Sequence, residues 1–166
     1  MGVRLKTYHD ALDFLYARTT GKWKLGLERV QELLRTLGDP HLQLRALHVA
    51  GTNGKGSVCA TLDAVLRARG LRVARYTSPH LINFPERFLV DGVSVSSERI
   101  VEWVDRWTPD VERLGATFFE ATTAMAFQFF AEAGVDVAVI ETGLGGRLDA
   151  TNVLAPLVAG VTNIQI

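Results

Sequence analysis

A short apolar run near the end of the chain constrains the fold more than any other feature. Residues 135–140 (VDVAVI) are almost all apolar and mostly β-branched, which is typical of a parallel strand buried on both faces. Apolar runs at 46–50 and 72–76 predict two more strands, and 157–162 predicts a last strand similar to the first run. Segments with helical apolar spacing lie between them. This alternation predicts an open, mainly parallel sheet in a three-layer α/β/α arrangement.

The helices are predicted from apolar spacing and from capping residues. Five segments qualify: 7–18, 27–37, 55–69, 96–107 and 118–133. The first should carry Leu12, Leu15 and Tyr16 on its inner side. Residues 77–86 contain two prolines and are predicted as an ordered surface loop, followed by a hairpin that turns at Asp91-Gly92.

Bulk composition excludes several classes of protein. The chain has 166 residues, enough for one domain with a sizeable core, and is 48% apolar and 22% charged. Its 18 basic and 18 acidic residues balance, which argues against nucleic acid as a partner. Cys59 is the single cysteine, so an internal disulfide is excluded. No signal-peptide core and no apolar run of membrane-spanning length are present, and a cytoplasmic enzyme without a membrane partner is expected.

A glycine-rich loop, AGTNGKGS (50–57), joins a predicted strand to a predicted helix. Glycines allow a tight turn, and the unpaired N–H groups at a helix start attract phosphate together with the helix dipole. Lys55 adds a positive charge, and Ser57 offers a hydroxyl to a metal ion. We interpret the loop as a cradle for a nucleoside triphosphate. The simpler alternative is a glycine turn with a solvated lysine.

The spacing of this loop departs from the standard P-loop. Val49 occupies the position of the first P-loop glycine, and the hydroxyl of Ser57 follows Lys55 by two residues instead of one. By itself the loop therefore indicates binding of ATP or GTP and no particular reaction.

Three unusual loops follow predicted strands, at 51–57, 77–81 and 141–152, and the carboxyl ends of parallel strands collect ligands. Glu141 comes directly after the apolar run, where a carboxylate needs a nearby cation. A magnesium ion that bridges nucleotide phosphates would supply it; the alternative is an ion pair with an arginine such as Arg147.

Other polar residues in these loops allow two interpretations each. Ser78 could be a second oxygen ligand of the metal or a turn residue that bonds its own loop. His80 could contact a ligand or support its loop, and the sequence favours neither. The glycines at 143–146 permit close approach to a ligand or a flexible turn. Asp149 could simply cap or turn the chain, as could two polar residues that follow it, Thr151 and Asn152.

Together, three motifs resemble the signatures of the folylpolyglutamate synthase/dihydrofolate synthase family, a branch of the Mur ligases. They are GTNGKGS (51–57), TSPHL (77–81) and ETGLGGRLDATN (141–152), and LGLERV (25–30) is also similar. Related cell-wall Mur ligases share a GTNGK-type loop, which accounts for the departure from P-loop spacing. They are not expected to share the other two motifs.

The resemblance implies a role for each matching residue. Lys55 and Glu141 would be catalytic. The ATP phosphates would be held by Gly51, Thr52, Asn53, Gly54, Lys55, Gly56 and Ser57. Magnesium would be bound by Ser57, Ser78 and Glu141. The pterin substrate would lie against Trp23, Lys24, Leu25, Thr117, Phe118, Phe119, Glu120, Leu148, Asp149 and Ala150, with His80 as a further candidate. The helical spacing of Phe118 and Phe119 favours core residues, whereas the resemblance places one of the two rings against the pterin; both can hold, because that segment begins a helix with one end at the site.

The implied activity is ATP-dependent ligation of L-glutamate to dihydropteroate or to reduced folates through an acyl phosphate. Family members continue beyond the last strand, so residues 1–166 are expected to be an N-terminal ATP-binding domain, incomplete at its C-terminal end, that is monomeric and inactive alone. Three rivals remain: a P-loop kinase or ATPase for a small molecule, a nucleotide-binding module without catalysis, and a cell-wall ligase.

Overall fold

The computed structural model describes residues 7–19 and 26–165, which form one mixed sheet with helices on both faces. The helices are α1 Tyr8–Tyr16, α2 Glu28–Thr36, α3 Lys55–Ala68, α4 Ser97–Leu114 and α5 Phe118–Ala133. The strands are β1 Ala46–Ala50, β2 Val73–Tyr76, β3 Phe88–Val90, β4 Val93–Ser94, β5 Val137–Glu141 and β6 Val158–Val161. Short 3₁₀ helices lie at Pro40–Gln43, Phe84–Arg87 and Ala150–Val153.

The sheet has the strand order β4-β3-β2-β5-β1-β6. Strands β2, β5, β1 and β6 are parallel, while β3 and β4 form an antiparallel hairpin at one edge. All five residues of β5 are buried, and β5 lies between β2 and β1. The predicted central strand is therefore confirmed. In the register, Val49 lies opposite Glu141 and Tyr76 opposite Ile140, so three parallel strands end at nearly the same height.

Alternate residues of β5 face two different apolar layers. Val137 and Val139 pack with Cys59 of α3 on one face. Ala138 and Ile140 belong to a larger cluster formed with α1, α2, α4 and α5 on the other. The three-layer α/β/α prediction is confirmed. Cys59 is fully buried, and burial raises the pKa of its thiol to about 12, consistent with a packing residue.

Capping residues explain why two helices begin where the sequence predicts. Thr7 and Asp10 form a capping box at the start of α1, since the Thr7 side chain accepts from the Asp10 N–H and the Asp10 carboxylate accepts from the Thr7 N–H. Thr117 and Glu120 form the same arrangement at the start of α5. Helix α5 ends at Gly134, whose φ of 60° is in the left-handed region that glycine tolerates.

Helix α4 is longer than the sequence predicts. The sequence predicts an end at about residue 107, and Pro109, which removes a helix hydrogen bond, follows two residues later. The helix instead runs through Pro109 to Leu114. The Thr108 hydroxyl donates to the Val104 carbonyl at 2.6 Å, and Val111 is fully buried beyond the proline. Apolar packing of the last turn therefore outweighs the missing hydrogen bond.

Two expectations about burial were wrong. Strand β6 was expected to resemble β5, but all four of its residues are exposed, because within the described part of the chain it pairs only with β1 at the sheet edge. Tyr16 was expected on the inner side of α1 but is 42% exposed; its ring stacks on Phe118 at a centroid distance of 5.3 Å.

No helix within residues 7–19 and 26–165 combines the length and the apolar composition needed to cross a membrane.

Candidate functional site

The glycine loop connects β1 to α3 through a turn that requires glycine at its start. Gly51 has a φ of 136°, and a Cβ at this position would lie 2.0 Å from the Thr162 hydroxyl and 3.0 Å from the Asn163 carbonyl oxygen. A side chain would therefore be both strained and blocked. Gly54, with a φ of 82°, is the residue at which the chain enters α3.

The first half of the loop is held by the segment that follows β6. The Thr52 N–H donates to the Asn163 carbonyl at 2.7 Å, and the Asn53 N–H donates to the Asn163 side chain at 2.8 Å. The Thr162 hydroxyl donates to the Asn53 carbonyl at 2.6 Å. Gln165 adds two bonds, one from its N–H to the Thr52 hydroxyl and one between its side chain and that of Asn53. The N–H groups of Thr52 and Asn53 are thus already used within the protein.

The second half of the loop presents an open helix start. Gly54 has no side chain to cap α3, and the first N–H that bonds within the helix is that of Val58, to the Gly54 carbonyl. The N–H groups of the first turn, at Lys55, Gly56 and Ser57, are therefore available, and the helix dipole adds partial positive charge there. Lys55 folds back over the loop, where its ammonium donates to the Gly51 carbonyl at 2.8 Å and to the Thr52 carbonyl at 3.3 Å.

Glu141 is the point at which the loops meet. It ends β5 and is 5% exposed. Its Oε2 accepts the Ser78 N–H at 2.9 Å, and a Cβ built on Gly56 would lie 3.9 Å from its Oε1. The loop after β2 therefore donates a hydrogen bond to the carboxylate at the end of β5, and the start of α3 lies close to the same carboxylate. The described residues form no ion pair between Glu141 and Arg147, so the structure does not support the alternative of a structural ion pair.

Burial dominates the electrostatics of Glu141. It raises the pKa of the carboxyl group, while the Ser78 N–H and the positive charges of Lys55, Arg75 and Arg87 oppose this. A cation beside the carboxylate would relieve the burial penalty. This is the arrangement expected of a metal ligand that has no fixed counterion.

The possible ligands near Glu141 suit magnesium better than a metal whose ligands all come from protein side chains. The described residues contain no group of three or more His, Cys, Asp or Glu side chains that could hold a metal ion. Magnesium is commonly held by one or two carboxylates together with phosphate oxygens and waters. Glu141 supplies one buried carboxylate, and the hydroxyls of Ser57 and Ser78 are predicted from the sequence as further ligands. Ser78, however, meets Glu141 through its backbone N–H.

The third loop is organised by Asp149. Its Oδ2 accepts the N–H groups of Gly143 and Leu144, both at 2.9 Å, and its Oδ1 accepts from the N–H and hydroxyl of Thr151. The Thr151 hydroxyl donates to Asp149, so it accepts from Nε2 of His48, 2.7 Å away on β1. Burial lowers the pKa of His48, which keeps the ring neutral. A buried polar chain thus links β1 to the glycines after β5.

Comparisons with known proteins match this chain along nearly all of its length. A dihydrofolate synthase/folylpolyglutamate synthase of Bacillus subtilis is 43% identical over 164 residues, which is 95% of this chain. The crystal structure of folylpolyglutamate synthase from Thermotoga maritima aligns with 96% of the chain at a TM-score of 0.89 and 44% identity. The chain belongs to the folylpolyglutamate synthase/dihydrofolate synthase family.

A third relative carries ligands. It is described as a bifunctional folylpolyglutamate synthase/dihydrofolate synthase with Mn, AMPPNP and L-glutamate bound, and it aligns with 94% of this chain at a TM-score of 0.86 and 39% identity. The chain spans 38% of the length of each of these three relatives. No family model matches the chain.

Several residues that the resemblance places against the pterin make hydrogen bonds, an ion pair or ring contacts within the protein. The Glu120 carboxylate, 5% exposed, accepts the Thr117 N–H at 2.7 Å and pairs with Arg29 at 3.0 Å. The ring of Phe119 lies directly under Gly143, where a Cβ would be 2.4 Å from its Cζ. Phe118 stacks on Tyr16. These contacts agree with the core interpretation of both phenylalanines and leave their predicted contact with a ligand as a prediction.

The remaining residues predicted to bind the substrate differ in their exposure, and three of them lie outside the described residues. Leu148 is 47% exposed on the third loop, Ala150 is buried beneath it, and the Asp149 carboxylate is 6% exposed with both oxygens engaged. Trp23, Lys24 and Leu25 lie outside the described residues.

His80 lies in an aromatic and cationic cluster that the sequence did not reveal. Its Nδ1 accepts from Nε of Arg87 at 2.9 Å, its Nε2 lies 3.5 Å from the Tyr16 hydroxyl, and its ring meets the Phe84 ring edge-on at 6.0 Å. Burial and the Arg87 charge lower the pKa of His80, so the ring is neutral. Arg87 was missed because nothing in the local pattern distinguishes it from a solvated arginine.

Proposed function

We propose that this chain is the ATP-binding part of an enzyme that joins L-glutamate to dihydropteroate or a reduced folate. The observation that carries the proposal is the meeting of three loops at Glu141. Two sources of positive charge lie near the buried carboxylate there: the uncapped start of α3 and the ammonium of Lys55. The ligands bound to the relative with Mn, AMPPNP and L-glutamate support ATP, a divalent metal and glutamate as the partners.

The chemistry follows from the need to activate a carboxylate before amide formation. An oxygen of the acceptor carboxylate attacks the γ-phosphorus of ATP, and ADP leaves. The amine of glutamate then attacks the acyl carbon, phosphate leaves, and the amine gives up a proton. A bound magnesium ion neutralises charge on the transferred phosphoryl group.

Each residue of the site has a defined task in this scheme. The N–H groups of Lys55, Gly56 and Ser57 would hold phosphate oxygens at the start of α3. The Lys55 ammonium would leave the carbonyls that it now contacts and pair with the phosphates. Glu141 and the Ser57 and Ser78 hydroxyls would hold the magnesium. Catalysis of this kind rests on positioning and on preorganised charge.

The acceptor would lie on the far side of Glu141 from the nucleotide. Support comes from the third loop, whose glycine backbone packs on Phe119 and whose Leu148 is exposed at the edge of the site. We assign Thr117, Phe118, Phe119 and the 148–150 segment to this side. Glu120 and Asp149 would act by holding backbone, because their oxygens already accept hydrogen bonds.

The proposal extends to residues 1–166 as a separate polypeptide. We assign them to one ATP-binding domain and expect no ligation by them alone, since the relatives that carry the activity are much longer. Calorimetry should detect nucleotide binding by this polypeptide, and a coupled assay should detect no amide product. Multiple turnovers by 1–166 would contradict this part of the proposal.

Lys55→Ala in the full-length protein tests the nucleotide role. We expect loss of ligation by about 100-fold or more, the scale on which removal of one preorganised electrostatic group acts. Arg69→Gln, at the exposed C-terminal end of α3, serves as a control and should ligate normally. Near-normal turnover of Lys55→Ala would refute the role.

An assay without glutamate separates ligase from kinase. A small-molecule kinase would release a stable phosphorylated product, whereas the ligase should consume ATP steadily only when glutamate is present. The 43% identity over 164 residues to a dihydrofolate synthase/folylpolyglutamate synthase favours the ligase.

A further inference from the structure

Arg87 is a buried cation that has no counterion among the residues that the structure describes. It is 6% exposed, and its one hydrogen bond described by the structure runs from Nε to the neutral His80 ring at 2.9 Å. It forms no ion pair with any acidic side chain in residues 7–19 and 26–165. The rest of the sequence, residues 1–6, 20–25 and 166, contains no aspartate or glutamate at all.

Other partly buried arginines of the chain do have acidic partners. Arg29 pairs with Glu120 at 3.0 Å, Arg75 with Asp63 at 3.5 Å, and Arg18 with Glu112 at 3.5 Å. Arg87 is more buried than any of these three, yet it is the one left unpaired. A buried guanidinium without a carboxylate is costly, so its persistence needs a compensating contact.

The protein contacts of Arg87 offset only part of that cost. Its guanidinium carbon lies 5.2 Å from the Phe118 ring centroid and 5.8 Å from that of Phe84, within the range of weak cation–π attraction. The His80 contact fixes one edge of the guanidinium through Nε. The two Nη groups, which form the fork that recognises paired oxygens, have no partner described by the structure.

The position of Arg87 places this fork beside the proposed site. Its carbonyl accepts the N–H of Thr77, the first residue of the loop whose Ser78 contacts Glu141. The positive charge of Arg87 acts to lower the pKa of Glu141, but no ion pair joins the two side chains. Phe118, which it faces, is on the side assigned to the acceptor, whereas the nucleotide side has its own cation in Lys55.

We propose that the Arg87 guanidinium binds the acceptor's carboxylate, the group that ATP is to phosphorylate. This inference rests on the proposed function and names a recognition residue for it. The two Nη groups donate to the two carboxylate oxygens, a geometry that arginine provides and lysine does not. His80 is a positioning residue, because its Nδ1 orients the fork through Nε.

Binding of a matched ligand pair to the full-length protein tests the inference. The probes are dihydropteroate and its carboxamide analogue, measured by fluorescence titration. Wild type should prefer the carboxylate by about 10- to 100-fold, the range of a charge-assisted hydrogen-bonded pair. Arg87→Gln should lose this preference, Arg87→Lys should keep part of it, and the exposed control Arg69→Gln should keep all of it.

Two outcomes would overturn the inference: an unchanged preference in Arg87→Gln, or a loss of ATP affinity with the acceptor preference intact, which would assign Arg87 to phosphate. If thermal unfolding shows that Arg87→Gln does not fold, a pair of His80 variants decides. His80→Gln retains an acceptor for the Arg87 N–H and should keep the preference, while His80→Leu should reduce it; equal preferences would refute the inference.

The proposed function is tested separately by ligation in wild type. Absence of ATP-dependent glutamate addition by wild type would refute the function. Normal ligation together with an unchanged preference in Arg87→Gln would refute only the role of Arg87.

Discussion

Glu141→Gln gives the sharpest test of the proposed metal site, because the substitution removes charge and little else. The amide oxygen can still accept the Ser78 N–H that Oε2 accepts at 2.9 Å. A neutral acceptor bonds more weakly than a carboxylate by about 1 kcal/mol. Burial opposes the charge at this position, as the raised pKa of the carboxyl group indicates, so removal of the charge recovers part of that loss. We expect the variant without ligand to unfold within about 1 kcal/mol of wild type.

The effect on magnesium should be much larger. Loss of a residue that merely orients a metal ligand costs about 10- to 100-fold in affinity, so loss of the carboxylate proposed as a ligand should cost about 100-fold or more. At a magnesium concentration of 100 times the wild-type Kd, binding stabilises the protein by about 2.7 kcal/mol; after a 100-fold loss, this falls to about 0.4 kcal/mol. For a unit of 150–250 residues that unfolds independently, the difference of about 2.3 kcal/mol corresponds to about 5–9 °C in Tm, and the shift is smaller where a larger protein unfolds as one unit.

The assay is thermal unfolding of the full-length protein with ADP at fixed concentration and magnesium varied. Wild type should show the magnesium-dependent rise in Tm, and Glu141→Gln should lose most of it. Glu102→Gln, which removes an exposed carboxylate from α4, controls for the change in net charge. An equal magnesium-dependent rise in Glu141→Gln and wild type would refute the assignment of Glu141 as a ligand.

Two further predictions concern the third loop. Gly143→Ala should destabilise the protein by about 1–3 kcal/mol in denaturant titrations, because the new methyl group would lie 2.4 Å from the Phe119 ring; unchanged stability would show that the loop is not packed on this ring. The lowered pKa of His48 should make stability fall as pH drops below the ordinary histidine pKa of 6.5, since the unfolded chain then binds a proton that the buried ring does not. His48→Gln should flatten this part of the stability–pH profile, and an unaltered profile would exclude His48 as the group responsible.

Local signals account for the elements that were predicted well. Strand β1 and helix α5 have the predicted bounds, because an apolar run or stripe in each coincides with turn or capping residues at its ends. The end of α4 was not predicted because it depends on tertiary packing. Burial of Val111 stabilises the last turn more than Pro109 destabilises the helix locally. The exposure of β6 depends on its place at the sheet edge, which its apolar sequence does not encode.

The sequence predicts which loops form the candidate site, but it does not predict which of their side chains bond to the protein and which are available to a ligand. The convergence at Glu141 follows from strand order and from the end of each parallel strand, so the motifs predict it. Whether an acidic side chain holds backbone or faces a ligand depends on its partners in space. Asp149 and Glu120 have their oxygens engaged by the protein, while Arg87 forms no ion pair within the described part of the chain. Neither property can be deduced from residue type or spacing.

The attachment of the glycine loop to residues 162–165 has a consequence for communication within the molecule. Five hydrogen bonds join Thr52 and Asn53 to a segment about 110 residues further along the chain. The glycine loop and residues 162–165 must therefore move together. Binding of a nucleotide to the loop should therefore affect any part of the protein that contacts residues 162–165. Conversely, movement of residues 162–165 should change the affinity of the loop for phosphate.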